Sequence, residues 1–150
     1  MAEVFPVIPD ELPAQTADSI GRSPAFVFRA DGRSGDFPLV DGEVREVTGA
    51  AAVRQWLELM LRQRPGEVPI YRTSGAVQPG VAAAGLDRRA PEGWIFAEIE
   101  RNVRETASFC PAIRTVGDFA FTRRRRGVEV RFTAYLRTGE SEEVTTYVSE

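Results

Sequence analysis

The chain has 150 residues, 43% of them apolar and 27% charged, the balance of an ordinary soluble protein long enough to bury a core. Its 19 basic residues are all arginine and it has no histidine, which excludes imidazole metal ligation, the commonest general base and Schiff-base lysine chemistry. A lone cysteine, Cys110, excludes an intramolecular disulfide and a thiolate zinc site, and a net charge of −3 argues against general nucleic-acid affinity.

Residues 1–24 read as an extended arm punctuated by Pro6, Pro9, Pro13 and Pro24. Val4-Phe5-Pro6-Val7-Ile8 is its apolar cluster. Two readings stand: an unanchored terminus, or an arm that orders against a partner through Phe5 and Ile8. The acidic, proline-rich start lacks the basic and apolar regions of a signal peptide, and no apolar run approaches the ~20 residues of a membrane span. Synthesis in the cytoplasm with no membrane partner is the expectation.

Residues 25–150 read as one domain. Ala25 to Arg29 predicts a strand, followed by a loop with Gly32 and Gly35. Two short strands then meet at Asp41-Gly42, a dipeptide that tolerates the positive φ of a tight hairpin. From Gly49-Ala50 to Arg64-Pro65-Gly66 the pattern is helical, with Val53, Trp56, Leu57, Met60 and Leu61 on one apolar stripe. Arg54, Glu58 and Arg62 lie opposite, Glu58 and Arg62 as an i, i+4 pair. Trp56 is read as core, and Val68-Pro69-Ile70-Tyr71 as a short pinned scaffold segment. Thr73 to Ala90 predicts a long loop with one helical turn near Val81 to Ala84. A second helix runs from Pro91 to about Phe109, its stripe Ile95, Phe96, Ile99, Val103 and Ala107. A strand over Thr115 to Phe121 turns through Arg123 to Gly127 into a period-two strand that buries Val128, Val130, Phe132, Ala134 and Leu136. Glu143 to Val148 alternates again as a last, exposed strand.

Catalytic readings fare poorly. No nucleophile elbow, phosphate loop, dinucleotide fingerprint or zinc spacing is present. A glycosidase needs two carboxylates set across a bond, and Glu58, Glu67, Asp87 and Glu98 mostly occupy polar helix faces instead. Cys110, beside Pro111 at a helix end, reads as packing. Arg123, Arg124, Arg125 and Arg126 make a basic hairpin tip: a solvated turn, or a contact for an acidic protein face. The last strand either pairs only within the domain or is donated to a neighbouring subunit.

The run Asp36-Phe-Pro-Leu-Val-Asp-Gly, the helix with Val53-Arg54-Gln55-Trp56-Leu57, Leu61-Arg62-Gln63-Arg64, Pro69-Ile70-Tyr71 and Val116-Gly117-Asp118-Phe119-Ala120-Phe121 together resemble the baseplate wedge proteins of contractile phage tails. The likeness is to those of PBSX-type prophages especially. It spans about residues 26–137 of a group that includes the sheath initiator of type VI secretion baseplates and was once labelled lysozyme-like. The resemblance implies an α+β fold: a small antiparallel sheet packed by two amphipathic helices, with an extended N-terminal arm and a C-terminal edge strand. It implies a structural subunit with no enzymatic activity, cofactor, metal or small-molecule substrate, assembled into the tail baseplate of a virion or injection particle. Its partners would be the tail sheath protein, the wedge core bundle, and tube or hub proteins. The first sheath ring would be templated by exchange of the C-terminal strand, on Glu143, Val144, Thr145, Thr146, Tyr147 and Val148. Much of the family carries an acidic residue, proline and arginine after the second helix. Here the positions read Cys110-Pro111-Ala112, so core-bundle docking would be more apolar or use Arg114. The old label supplies the alternative, a tail-associated muramidase.

Overall fold

The computed structural model describes residues 20–29, 34–82 and 89–149. Phe5 and Ile8 lie outside them, as does the second half of the helical turn expected near Val81 to Ala84; Val81 and Ala82 themselves are not helical. Within the described residues the fold is mixed α and β, with two helices and four small antiparallel sheets.

Three two-stranded ribbons come first. β1 (Arg22–Pro24) pairs with β6 (Glu46–Thr48), β2 (Val27–Phe28) with β3 (Gly35–Asp36), and β4 (Leu39–Val40) with β5 (Glu43–Val44). The strand expected across Ala25 to Arg29 is therefore split between two partners, and the end of the supposed arm belongs to the domain. Asp41 and Gly42 both take positive φ, 53° and 80°, as the two-residue turn between β4 and β5 demands. Phe26 anchors this region, with ring centroids 4.9 Å from Phe28 and 5.1 Å from Phe37, both edge-on.

Helix α1 (Gly49–Met60) buries Val53, Leu57 and Met60, with Leu61 just beyond. It ends four residues short of Arg64. The amides of Arg62 and Gln63 bond three residues back, to Leu59 (3.3 Å) and Met60 (3.4 Å), so the coil tightens and stops before Pro65 disfavours helical backbone at Arg64. Trp56 is half-buried at the margin of the core. Pro69–Tyr71 forms a single 3-10 turn, and Ile70 is 82% exposed, so this pinned segment offers an apolar residue to solvent.

Helix α2 (Glu92–Ala107) begins after Pro91, whose carbonyl accepts the amides of Trp94 (3.0 Å) and Ile95 (3.2 Å). Its stripe of Ile95, Ile99, Val103 and Ala107 is buried as the spacing predicts. Antiparallel β7 (Ile113–Arg124), β8 (Gly127–Leu136) and β9 (Ser141–Ser149) follow, with β8 in the centre. α1 lies over β9 and α2 over β7, so both helices cover the same face of this sheet. Beneath them sit Val128, Val130, Phe132, Ala134 and Leu136 of β8 and Val144 and Val148 of β9. The opposite face is polar.

Three side chains on the helices' own buried faces are polar, and each fastens irregular backbone. Oε1 of Gln55 accepts the Phe26 amide (2.8 Å), while its Nε2 donates to Pro24 O (2.7 Å) and Ser23 Oγ (3.1 Å). Oδ1 of Asn102 accepts the Ala82 amide (3.0 Å), and Oγ1 of Thr106 accepts that of Gly80 (2.9 Å). The Val81 amide in turn donates to Gln63 O (3.0 Å), and a Cβ on Gly80 would stand 2.5 Å from that same oxygen. Pro79, Gly80 and Val81 are thus part of the packed interior, not a surface loop. Gln55→Ala leaves the Phe26 amide and Pro24 carbonyl without these partners. We expect it to lower the unfolding free energy by about 1–3 kcal/mol and to speed amide exchange selectively in β1 and β2, measured by denaturation and hydrogen exchange.

Candidate functional site

The C-terminal strand β9 is an edge: among the described residues it is hydrogen-bonded to β8 alone. The Leu136 amide donates to Glu140 O (2.9 Å) at the β8–β9 turn, which fixes the phase of the ladder. Antiparallel alternation then directs the backbone groups of residues 142, 144, 146 and 148 toward β8, and those of Glu143, Thr145 and Tyr147 outward. The side chains divide in the same rhythm. Val144, Thr146 and Val148 are buried under the helices, whereas Glu143 and Thr145 are exposed and Tyr147 is half-buried. The residues predicted to bind a partner are therefore of two kinds, three that hold the strand in the domain and three that present a backbone edge.

One buried atom is out of keeping with this division. Oγ1 of Thr146 has no hydrogen-bond partner among the described residues, although the side chain sits wholly in the core. Thr146→Val keeps the shape and removes that desolvated hydroxyl. It should raise the unfolding free energy by about 1 kcal/mol, read from urea denaturation.

The bend after α2 is held by a residue that the sequence reading passed over. Arg137 donates from its amide to Ala112 O (3.0 Å) and from Nε to Pro111 O (2.7 Å), tying the end of β8 to the bend. Cys110 and Ala112 are only 3% and 1% exposed, so neither can offer its side chain to a wedge bundle. Pro111 and Arg114 are exposed and could. Burial pushes the Cys110 thiol above its ordinary pKa, which keeps it protonated and suits packing. Beside Pro111 lies a groove of about 380 Å³, bordered by Ile20, Trp56, Leu59, Met60 and Tyr71. Trp56 gains its half-exposure by lining this groove.

Arg123 to Arg126 sit at the β7–β8 turn as predicted, and all four are exposed. Arg124 is paired with Glu129, its Nε and Nη2 reaching the same carboxylate oxygen at 3.3 and 3.0 Å. Among the described residues, no three potential metal-donor side chains of the His, Cys, Asp or Glu type come together, and no helix is long and apolar enough to cross a membrane.

The carboxylates weighed for catalysis lie apart in kind. Asp87 is outside the described residues. Glu98 is held below the usual range by its bonds to Arg101, and Glu58 is raised by burial, against the attraction of Arg54 and Arg62. Arg62 donates from Nη1 to the Glu58 backbone carbonyl (2.7 Å), and its guanidinium lies 3.5 Å from the centroid of Phe28. A carboxyl with a raised folded pKa favours folding when protonated and opposes it when charged, so its penalty is full above the folded pKa and gone below the unfolded one. Glu58→Gln should therefore raise Tm at pH 7, with the gain vanishing below about pH 4; melts across that range check the sign.

No protein-family model matches the chain, and no curated protein matches it. The likeness to baseplate wedge proteins rests on the residues quoted above alone.

Proposed function

We propose that this chain is a structural wedge subunit of a contractile tail or injection machine that templates the first sheath ring along β9, and that it performs no catalysis. The observation that carries the reading is the outward-facing backbone of Glu143, Thr145 and Tyr147 on a strand whose other face is anchored in the core. A main-chain edge asks for geometry more than side-chain identity, which suits seeding a repeating ring.

The packing favours strand addition over the strand exchange that the resemblance implies. Withdrawing β9 would expose Val144 and Val148, about 1.5–3 kcal/mol for each side chain, and would break its ladder with β8. Pairing therefore proceeds by adding a sheath strand onto β9 in place, not by releasing β9 from the domain. Wedge-bundle docking would use Pro111, Arg114 and the neighbouring groove. The subunit is made in the cytoplasm and joins the baseplate through its bundle, sheath, and tube or hub neighbours.

Deleting the strand would confound docking with folding, since its core residues would leave too. Thr145→Pro is the cleaner test, because it removes an outward N–H and no bond to β8. With purified sheath protein and wedge complexes, rings should form with the wild type and with Thr145→Val and fail with folded Thr145→Pro, scored by electron microscopy. Equal rings from Thr145→Pro would sink edge templating.

A further inference from the structure

The basic tip supplies none of the outward backbone groups of β9, yet the fold gives it company. β8 starts directly after it at Gly127, which pairs with Ser149, so the tip stands at the C-terminal end of β9. Arg64, from the turn that follows α1, reaches that end as well. It lines a small cavity of about 70 Å³ with Tyr147, Val148 and Ser149. Two separate segments of the chain thus bring arginines to one end of the sheet, on a molecule whose net charge is −3.

One of these guanidinium groups already shows the chemistry. Arg124 grips the Glu129 carboxylate through two nitrogens. Arg64, Arg123, Arg125 and Arg126 form no ion pair among the described residues. We propose that this arginine end is a docking surface for an acidic segment of a partner protein, whose carboxylates Arg123, Arg125 and Arg126 would take as Arg124 takes Glu129, with Arg64 at the margin.

A protein segment fits better than nucleic acid on two counts. A long polyanion must also approach the acidic remainder of the molecule, which repels it, whereas a short acidic stretch meets only the basic end. The aromatic rings of β7 are turned inward as well. Phe121 stacks on Phe96 at 4.6 Å and Phe119 on Phe132 at 5.4 Å, so neither offers a face to a base.

The test uses the full chain and two fluorescein-labelled probes, a decaglutamate peptide and a single-stranded DNA decamer, followed by anisotropy at rising salt. The peptide should bind more tightly than the DNA, and more weakly as salt rises. The triple variant Arg123→Ser, Arg125→Ser, Arg126→Ser should lose about tenfold in peptide affinity. Arg126→Ser alone should lose less, in the same direction. A control with the same change in net charge, Arg45→Ser, Arg54→Ser, Arg131→Ser, should lose little. The proposal is overturned if the control loses as much as the tip variant, if the wild type leaves the peptide unbound, or if the DNA binds more tightly. The Thr145→Pro ring assay leaves the tip arginines in place, so this surface and the β9 edge are judged separately.

Discussion

Val128, Val130, Phe132, Ala134 and Leu136 project from one side of β8 into the space that α1 and α2 close, and the positions of both helices and of the flanking strands follow from keeping that space dry. Only one face of the sheet is covered, so the strands must alternate strictly and the helices must each carry a stripe. Among the described residues, β7 and β9 flank β8 without further strands beyond them. The constraint that builds the core therefore also leaves two backbone edges. β7 is interrupted by register shifts near Ile113–Thr115 and Gly117–Ala120, the second with Asp118 at φ 55°. Such bulges twist an edge away from further pairing. β9 pairs with β8 in continuous register and has no such interruption, which makes it the more receptive of the two.

Irregular backbone must find hydrogen-bond partners wherever it meets this core, and the helices supply them. Gln55 serves the β1 and β2 region, Asn102 and Thr106 serve residues 80–82, and Arg104 reaches Val116 O at 2.8 Å. Asn102 and Thr106 are four residues apart and so lie on one face of α2, side by side against the segment they hold. Arg137 does the same work at the bend after α2. The N-terminal ribbons contribute little to the main core and depend instead on these fasteners, together with the phenylalanine cluster and Arg62 stacked on Phe28.

The same division explains what could be read from sequence. Period-two alternation in β8 and β9, the helix stripes and the Asp41-Gly42 turn are statements about burial and backbone geometry, and they are written directly in residue type. Gln55, Asn102 and Thr106 were invisible to that reading because polarity normally signals solvent. Their burial depends on which backbone groups a distant loop leaves unpaired, a fact of tertiary structure. Pro79 to Val81 went unrecognised for the same reason. Cys110 was legible as packing and Pro111 as a bend, but the burial of Ala112 was not, since the contribution of Arg137 comes from 25 residues and more along the chain. The edge itself was legible as a strand, whereas its two-sided character needed the register.

That two-sided character bears on what such an edge would accept. Edge strands are commonly guarded by inward-pointing charge, and Glu142 stands on the core-side register opposite Ala134, half-buried, next to exposed Glu143. Both guards lie toward the N-terminal end of β9. From Val144 to Val148 the strand carries only threonine, tyrosine and valine, uncharged residues that favour extended pairing, and arginines of two other segments gather at its far end. An incoming strand therefore meets acidic residues at one end of the edge and basic ones at the other. Two copies pairing antiparallel about Thr145 would bring the Glu142 and Glu143 end of each to the arginine end of the other. A partner with its own charge order would be accepted in one direction and resisted in the reverse, so direction would be set by the ends of the strand while adhesion comes from its middle.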